Sequence, residues 1–455
     1  MATYTGDSVR IWPQVELEEG VWRKRLYVAS GARGVGRLNL DEQNGLQFIN
    51  EVNFGQDQVV ADVVKQGHSL YATRYQPGGL RDPQAQEPEE PKCDIVAANN
   101  GGAGSVELLN YIDPFDPVSF GQLDNMKGAA TLHVDGEWLF SGGFAAGMVS
   151  TYGCLQFPKY GYDEPINGAD SSTVTAVNIF DPTLTRQFAF ENTVTDVVTY
   201  GDYLFAAVAR SGVEYFHVER PEERFSISID ASLQQLAGDA RQLRIYGSTL
   251  FIAADKGVVV VDISNLAQPR VVSAGNIETV KSLDIYRDRL IAGGRKDGLQ
   301  VFTLPAALVM SATVPQHGIL SADTNQALEI EFNELMTVES LQQANAILVE
   351  ELDPNTLTST TLAATVEPIL EGEVTEAATR FRVLFERTPG ADIRLSVLDA
   401  RNQRGLGLWT PFVRDFSVSE QSVPVPAIEQ VQNGVFYLGE QDVITIVGSG
   451  FSVDS

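Results

Sequence analysis

The sequence predicts an all-β chain, a six-bladed β-propeller followed by β-sandwich modules, and three observations carry that expectation. One phrase recurs six times in the first 305 residues: an apolar strand, a tight polar turn, then Leu, a bulky residue and small ones. Its clearest copies are VADVVKQGHSLYAT from Val60 and VTDVVTYGDYLFAA from Val194. The leucines anchoring the phrase, Leu26, Leu70, Leu139, Leu204, Leu250 and Leu290, lie 44, 69, 65, 46 and 40 residues apart. A period in the low forties with alternating apolar strands marks propeller blades. From Pro315 the phrase stops and longer strands take over. The expected domains are therefore residues 1–308, 309–420 and 421–455.

Each unit reads as a four-stranded antiparallel meander, a to d. In the fifth, QLRIY is strand a, the turn falls at Gly247-Ser248, TLFIAA is b, VVVVDIS is c and PRVVSAG is d. The last unit reads SLDIY, a turn at Arg287-Asp288, RLIAGG, GLQVFTL and ALVMSAT. Gly and Asp at the turns supply the positive φ that tight hairpins need. The residue after the anchoring Leu is Tyr27, Tyr71, Phe140, Phe205, Phe251 or Ile291. Both faces of a blade pack against neighbours, so these residues are expected in the core.

Two intervals are long for one reason. From the anchoring Leu to the first apolar residue of strand c is 8 or 9 residues in four units, but 36 in the second and 35 in the third. Both insertions, about Arg74–Gly104 and Gly142–Ser172, fall in the b–c loop of adjacent units. In such a meander the b–c loops leave the same end of every blade, so the two inserts should stand side by side. Function gathers on loops of this kind.

The first insert is Pro-rich and acidic and holds Cys93. The second is aromatic, with Tyr152, Phe157, Tyr160 and Tyr162 beside Asp163 and Glu164, and it holds Cys154. Exposed aromatic rings make a ligand platform at low entropic cost, so these six residues are the candidate ligand contacts; a small core beneath a long loop is the alternative. Cys93 and Cys154 are the only cysteines, one per insert. A disulfide between them would pin the loops in an exported protein.

Eight residues before each anchoring Leu stands a polar residue: Glu18, Asp62, Thr131, Asp196, Gln242 and Ser282. A ring of them at a channel mouth would offer the carboxylates of Glu18, Asp62 and Asp196 to a hard cation, with calcium the cofactor to consider. The alternative is that they satisfy backbone groups between blades. No catalytic residue is assigned. The four histidines (His68, His133, His217 and His317) fall in different parts of the repeat, and the chain has no nucleophile elbow, zinc helix, Cys-x-x-Cys or phosphate loop.

Charge narrows the partner. The net charge is −28 over 455 residues. Acidic residues outnumber basic ones 39 to 25 in residues 1–305, 17 to 7 in 306–420 and 4 to 0 in the last 35. Phosphate backbones need clustered basic charge, so nucleic acid is not expected. The start, MATYTGDSVR, has no charged-then-apolar leader, and no stretch reaches the ~18 apolar residues of a membrane span.

Strand c of the fifth unit carries V-x-V-x-D-I-x-N at Val258–Asn265, with related wording at Ala176–Pro182 and Leu108–Pro114. This resembles the LVIVD-repeat family of bacterial β-propellers, found in exported and surface-associated proteins. Beyond the repeat, ALEIEFNELMT, AILVEEL, TRFRVLFERT, DIRLSVLDARNQRG and VRDFSV read as sandwich strands. Ile330, Phe332, Glu334, Met336, Val397, Asp399 and Asn402 resemble the signature of bacterial Ig-like domains of the surface-layer type, with Arg401 where that signature has Gly. Pro426, Ile428, Gly439, Val443, Ile446, Gly448, Gly450 and Phe451 resemble the opening of an IPT/TIG domain. Some 30 residues are too few for such a core, so the chain reads as a piece of a longer exported protein. These resemblances imply a non-catalytic surface or secreted protein whose propeller binds a protein or glycan, with Ig-like modules as a stalk. A propeller-based extracellular hydrolase or lyase, or a purely structural component of a surface assembly, are the alternatives.

Overall fold

The computed structural model describes residues 10–18, 21–29, 34–41, 45–54, 60, 62–66, 69–74, 96–97, 105–110, 118–123, 126, 129–143, 148–149, 172–192, 194–208, 211–227, 240–254, 257–276, 280–294, 299–313, 320, 327–343, 345–352, 358–370, 376–419, 427–432 and 445–449. The described chain is all-β apart from one short helix, and its first part is a row of small antiparallel sheets.

The first sheet is β1 (Arg10–Glu18), β2 (Val21–Ala29), β3 (Val35–Asp41) and β4 (Gly45–Val52). The second holds β5 (Val63–Gln66) and β6 (Ser69–Arg74), then, beyond the short strand β7 (Val96–Ala97), β8 (Ser105–Asn110) and β9 (Val118–Leu123). The third holds β10 (Ala129–Asp135) and β11 (Trp138–Gly143), then, beyond the short strand β12 (Met148–Val149), β13 (Ser172–Asn178) and β14 (Thr185–Phe190). The fourth is β15 (Val194–Tyr200), β16 (Tyr203–Val208), β17 (Gly212–His217) and β18 (Phe225–Ile227). The fifth is β19 (Ala240–Tyr246), β20 (Thr249–Ala254), β21 (Gly257–Asp262) and β22 (Arg270–Asn276). The sixth has three strands, β23 (Val280–Tyr286), β24 (Arg289–Gly294) and β25 (Leu299–Thr303).

The a strands of successive sheets lie beside one another along the row, from β1 through β5, β10, β15 and β19 to β23. Cores form between sheets, as the two-faced apolar strands require. One cluster joins Phe205, Val213 and Tyr215 of the fourth sheet to Leu243, Leu250 and Val259 of the fifth. Another joins Phe251 and Val258 of the fifth to Leu283 and Leu290 of the sixth. The repeated residues are this core: Leu70, Leu139, Leu204, Leu250, Tyr27, Tyr71, Phe140, Phe205 and Phe251 are all buried.

The ALVMSAT segment, expected as strand d of the last unit, goes elsewhere. Its strand β26 (Val309–Thr313) pairs with β27 (Leu328–Thr337) of the following unit, with Val309 opposite Phe332. Apolar burial decides this: Ala307, Val309 and Ala312 sink into the second unit's core with Ile330, Phe332 and Phe381. Helix α1 (Val338–Leu341) follows, then β28 (Ile347–Leu352), β29 (Ser359–Leu362), β30 (Ala364–Ile369), β31 (Ala377–Phe385), β32 (Asp392–Val397) and β33 (Phe412–Ser417). They form two four-stranded sheets, β26-β27-β31-β30 and β29-β28-β32-β33, enclosing one core. The five strands expected from sequence are there; β29 and β30, short and largely exposed or half-buried, were not expected. Beyond them β34 (Ala427–Gln432) pairs with β35 (Thr445–Ser449). No helix of the described residues is long and apolar enough to cross a membrane.

Candidate functional site

The two long b–c loops meet. Strand β7 of the first insert pairs antiparallel with β12 of the second, Val96 opposite Val149 and Ala97 opposite Met148. The parent strands β6 and β11 belong to neighbouring sheets and release their loops at the same end. The side-by-side arrangement expected from spacing is therefore realised as a two-stranded sheet. The candidate ligand residues Tyr152, Phe157, Tyr160, Tyr162, Asp163 and Glu164 lie outside the described residues, as do Cys93 and Cys154.

The opposite end of the sheets, where the a–b turns emerge, is occupied. The Tyr200 hydroxyl, at the a–b turn of the fourth sheet, donates to Val413 O at 2.7 Å. At the next a–b turn Gly247 N donates to Met310 O at 3.2 Å, and Ser248 Oγ accepts from Val413 N at 3.0 Å. Thr249 bonds Thr410, and Phe251 meets Trp409 edge-on at 5.7 Å. At the sixth sheet Asn333 Nδ2 donates to Arg287 O at 2.9 Å. The second unit is thus seated on three consecutive turns. Gly247 is required there: its φ is +55, and a Cβ would stand 2.3 Å from Val309 O.

The polar residues at the start of the inner strands take up a different task from the expected metal ring. Asp62, Thr131, Asp196 and Gln242 are buried between sheets, with at most 2% exposure. Asp62 Oδ2 accepts Leu132 N of the third sheet at 2.8 Å. Asp196 Oδ2 accepts Leu243 N of the fifth at 2.9 Å, and Gln242 Oε1 accepts Leu283 N of the sixth at 2.8 Å. Each acceptor captures the amide one residue past the same position in the next sheet. The shorter Thr131 places its hydroxyl 2.5 Å from Asp196 Oδ1 and 3.1 Å from Asp62 Oδ2. Four of these strands carry a bulge at this point, between Ala129 and Thr131, Val194 and Asp196, Ala240 and Gln242, and Val280 and Ser282. A bulge turns the following side chain out of the ladder, here toward the neighbouring sheet.

Glu18 does not belong to this series. The position across from the third residue after the anchoring Leu is Thr131 opposite Gly142, Asp196 opposite Ala207 and Gln242 opposite Ala253. In the first sheet that place falls on Arg10, opposite Ala29, whereas Glu18 pairs with Val21 at the far end of the hairpin. The first hairpin is nine residues per strand, so counting eight residues back from Leu26 stops just across its turn, short of Arg10. The three carboxylates named for calcium are therefore not brought together as a set. Among the described residues no cluster of three or more His, Cys, Asp or Glu stands ready to hold a metal.

Two groups were not foreseen from sequence. His133 Nε2 lies 2.7 Å from Thr199 Oγ1, which donates to Asp135 Oδ2 at 2.8 Å, tying the third sheet to the fourth. Tyr246 donates to Asp284 across the fifth and sixth sheets, and burial, followed by the Asp284 charge, holds its phenol well above the usual tyrosine range. His217 is on β17, remote in the repeat from His133, while His68 and His317 lie outside the described residues.

No curated protein matches the chain. Among solved structures it is similar to Sqt1 of Saccharomyces cerevisiae, with 8% identity, 80% of this chain and 82% of that one covered, and a TM-score of 0.36. It is also similar to BamB from Moraxella catarrhalis, at 13% identity, 64% and 84% coverage and a TM-score of 0.30. A third is the computationally designed Ika4 protein, at 16% identity, 39% and 91% coverage and a TM-score of 0.27. The model of the LVIVD repeat matches residues 237–276, the span of the fifth sheet from β19 to β22. An LVIVD repeat, a unit of propeller-associated proteins, is present in the chain.

Proposed function

We propose that this protein is a non-catalytic binding protein of a bacterial surface or exterior, a six-bladed propeller that takes a protein or glycan partner on the face bearing the two inserts. The observation that carries the reading is the pairing of β7 with β12, which joins two long loops from neighbouring sheets into one surface. Loops of about 30 residues in an otherwise trim repeat are where binding residues gather. The Ig-like second unit covers the a–b turns at the other end, through Tyr200, Ser248 and Trp409, and leaves the insert end for a partner. It acts as a seated base more than as a loose stalk. The net charge of −28 disfavours anionic polymers and favours neutral or cationic partners.

The test uses the labelled full chain on a glycan microarray and on an array of bacterial envelope proteins. Binding should be lost when Gln76–Ala97 is deleted, which removes β7, and reduced at least about tenfold by Tyr160→Ala with Tyr162→Ala. Unchanged binding in both folded variants would overturn the reading.

A further inference from the structure

One hydroxyl proton on Thr199 faces two acceptors. Its Oγ1 lies 2.7 Å from His133 Nε2 and 2.8 Å from Asp135 Oδ2, and its backbone N–H donates to the same Nε2 at 3.2 Å. His133 and Asp135 stand two residues apart on β10, so strand alternation turns both toward β15 and Thr199. A carboxylate only accepts, whereas a ring nitrogen either accepts or carries a proton. Two arrangements follow. In one, Nε2 is bare and takes both Thr199 donors, and the exposed Asp135 turns to solvent. In the other, Nε2 carries a proton and donates it to Oγ1, which releases the hydroxyl proton to Asp135.

We propose that His133 is a pH-operated clamp between the third and fourth sheets. The neutral ring, with its proton on Nδ1, holds Thr199 alone. The charged ring turns the Thr199 hydroxyl onto Asp135, so that one relay runs from His133 through Thr199 to Asp135. The added proton comes from water and the hydroxyl only rotates, so no bond of Thr199 breaks. An anion one hydroxyl away attracts the charge of the imidazolium, which favours this relay in mildly acid solution. The tie is whole while the ring is charged and is lost as pH rises and the ring discharges.

The strands packed against β10 bring few other titratable groups. β11 has none, β15 carries Asp196 and Tyr200, β5 carries Lys65, and β6 carries Tyr71 and Arg74. Asp196 is engaged by Thr131 and Leu243, Tyr200 by Val413, and Lys65 lies over the Tyr27 ring. Glu137, in the turn after Asp135, meets Asn178. Asp135 is the carboxylate that the Thr199 hydroxyl reaches. That turn also holds the second sheet, since Gln66 Nε2 donates to Gly136 O at 2.8 Å. Thr199 adjoins Tyr200, which reaches the second unit at Val413 O. The clamp therefore acts where three sheets and the second unit meet.

Nitrogen NMR of the full chain, labelled at its histidine rings, tests the proposal, with the His133 signals identified by their loss in His133→Gln. At about pH 8 the proton should sit on Nδ1 and Nε2 should be bare. A neutral ring protonated on Nε2 would overturn the proposal. Asp135→Asn should lower the midpoint of the ring's titration by about half a unit or more, while Glu222→Gln leaves it in place. An unmoved midpoint in Asp135→Asn would overturn it too. Amide protection at Gly136–Trp138, corrected for intrinsic exchange, should be about threefold or more greater at about pH 5.5 than at about pH 8, and alike at both in Thr199→Val. Protection that ignores pH in the parent, or follows it equally in Thr199→Val, would remove the clamp. These residues lie at the end of the sheets away from the inserts, so this proposal and the binding reading fail separately.

Discussion

Asp62 in the second sheet accepts the backbone N–H of Leu132 in the third at 2.8 Å, and Asp196 in the fourth repeats that contact with Leu243 in the fifth at 2.9 Å. The repeat is thus held by two kinds of adhesive. Apolar side chains fill the space between sheets, and a buried acceptor on three of the inner strands, at Asp62, Asp196 and Gln242, fixes the offset of the next sheet. Apolar burial is non-directional, whereas a hydrogen bond to one amide specifies register.

Removing such an acceptor should cost far more than removing a surface acid. Asp196→Ala leaves Leu243 N without its acceptor and takes a partner from Thr131, so unfolding free energy should fall by about 2–4 kcal/mol. Asp196→Asn keeps an oxygen for Leu243 and should cost about half as much. Glu222→Ala, on an exposed turn, should stay within about 0.5 kcal/mol of the parent. Urea denaturation of the three variants checks the order. Equal stability of Asp196→Ala and Glu222→Ala would show that the contact contributes nothing.

Gly247 links the fifth sheet to the second unit, and no other residue fits its place. A Cβ there would stand 2.3 Å from Val309 O and 3.0 Å from the Phe412 ring, on a backbone with φ +55. Gly247→Ala should therefore destabilise by about 2–3 kcal/mol through strain and displaced packing. Trp409→Ala, which removes the ring against Phe251, should loosen the same seat without backbone strain. In scanning calorimetry both variants should split one unfolding transition into two. A single transition shifted as a whole in both would mean that the units do not unfold separately.

Alkaline pH should unfold the chain through two buried phenols. Tyr246 is held well above its ordinary value by burial and then by the Asp284 charge, and Tyr200 is raised by burial. A raised folded pKa means that the folded state keeps protons the unfolded state releases. That stability is whole below pH ~10 and is lost as pH climbs toward the folded values. Absorbance at 295 nm, followed with circular dichroism, should show these two tyrosines ionising only as the sheets unfold. Full ionisation of every tyrosine at pH ~10 with the fold intact would contradict it.

What the sequence made legible follows from period. The leucines and aromatics at a fixed place in the phrase are core because every sheet needs the same residues between its neighbours. The shared site of the two inserts was legible because a break in a regular spacing is itself a signal. Strand β26 was misassigned because its apolar alternation suits either sheet edge, and only the cores it sinks into decide between them. Glu18 was misplaced because a hairpin of nine-residue strands breaks the count that held elsewhere. Contacts such as Tyr200 with Val413, 213 residues apart, leave no periodic trace at all.

The pairing of β7 with β12 also bears on the cysteines. Val96 and Val149 face each other, Cys93 lies three residues before the first, and Cys154 lies five after the second. In an antiparallel ladder those directions run alongside one another, and both cysteines themselves lie outside the described residues. A disulfide closing this loop of about 60 residues would remove about 4 kcal/mol of chain entropy from the unfolded state. Unreduced, denatured protein should therefore show no reactive thiol, and peptide mapping should recover Cys93 linked to Cys154. Reduction, or Cys93→Ser, should lower stability and weaken partner binding together, because the bond fixes the surface the loops form. Two reactive thiols in freshly purified, unreduced protein would sink the bond and leave β7 and β12 as the tie between the inserts.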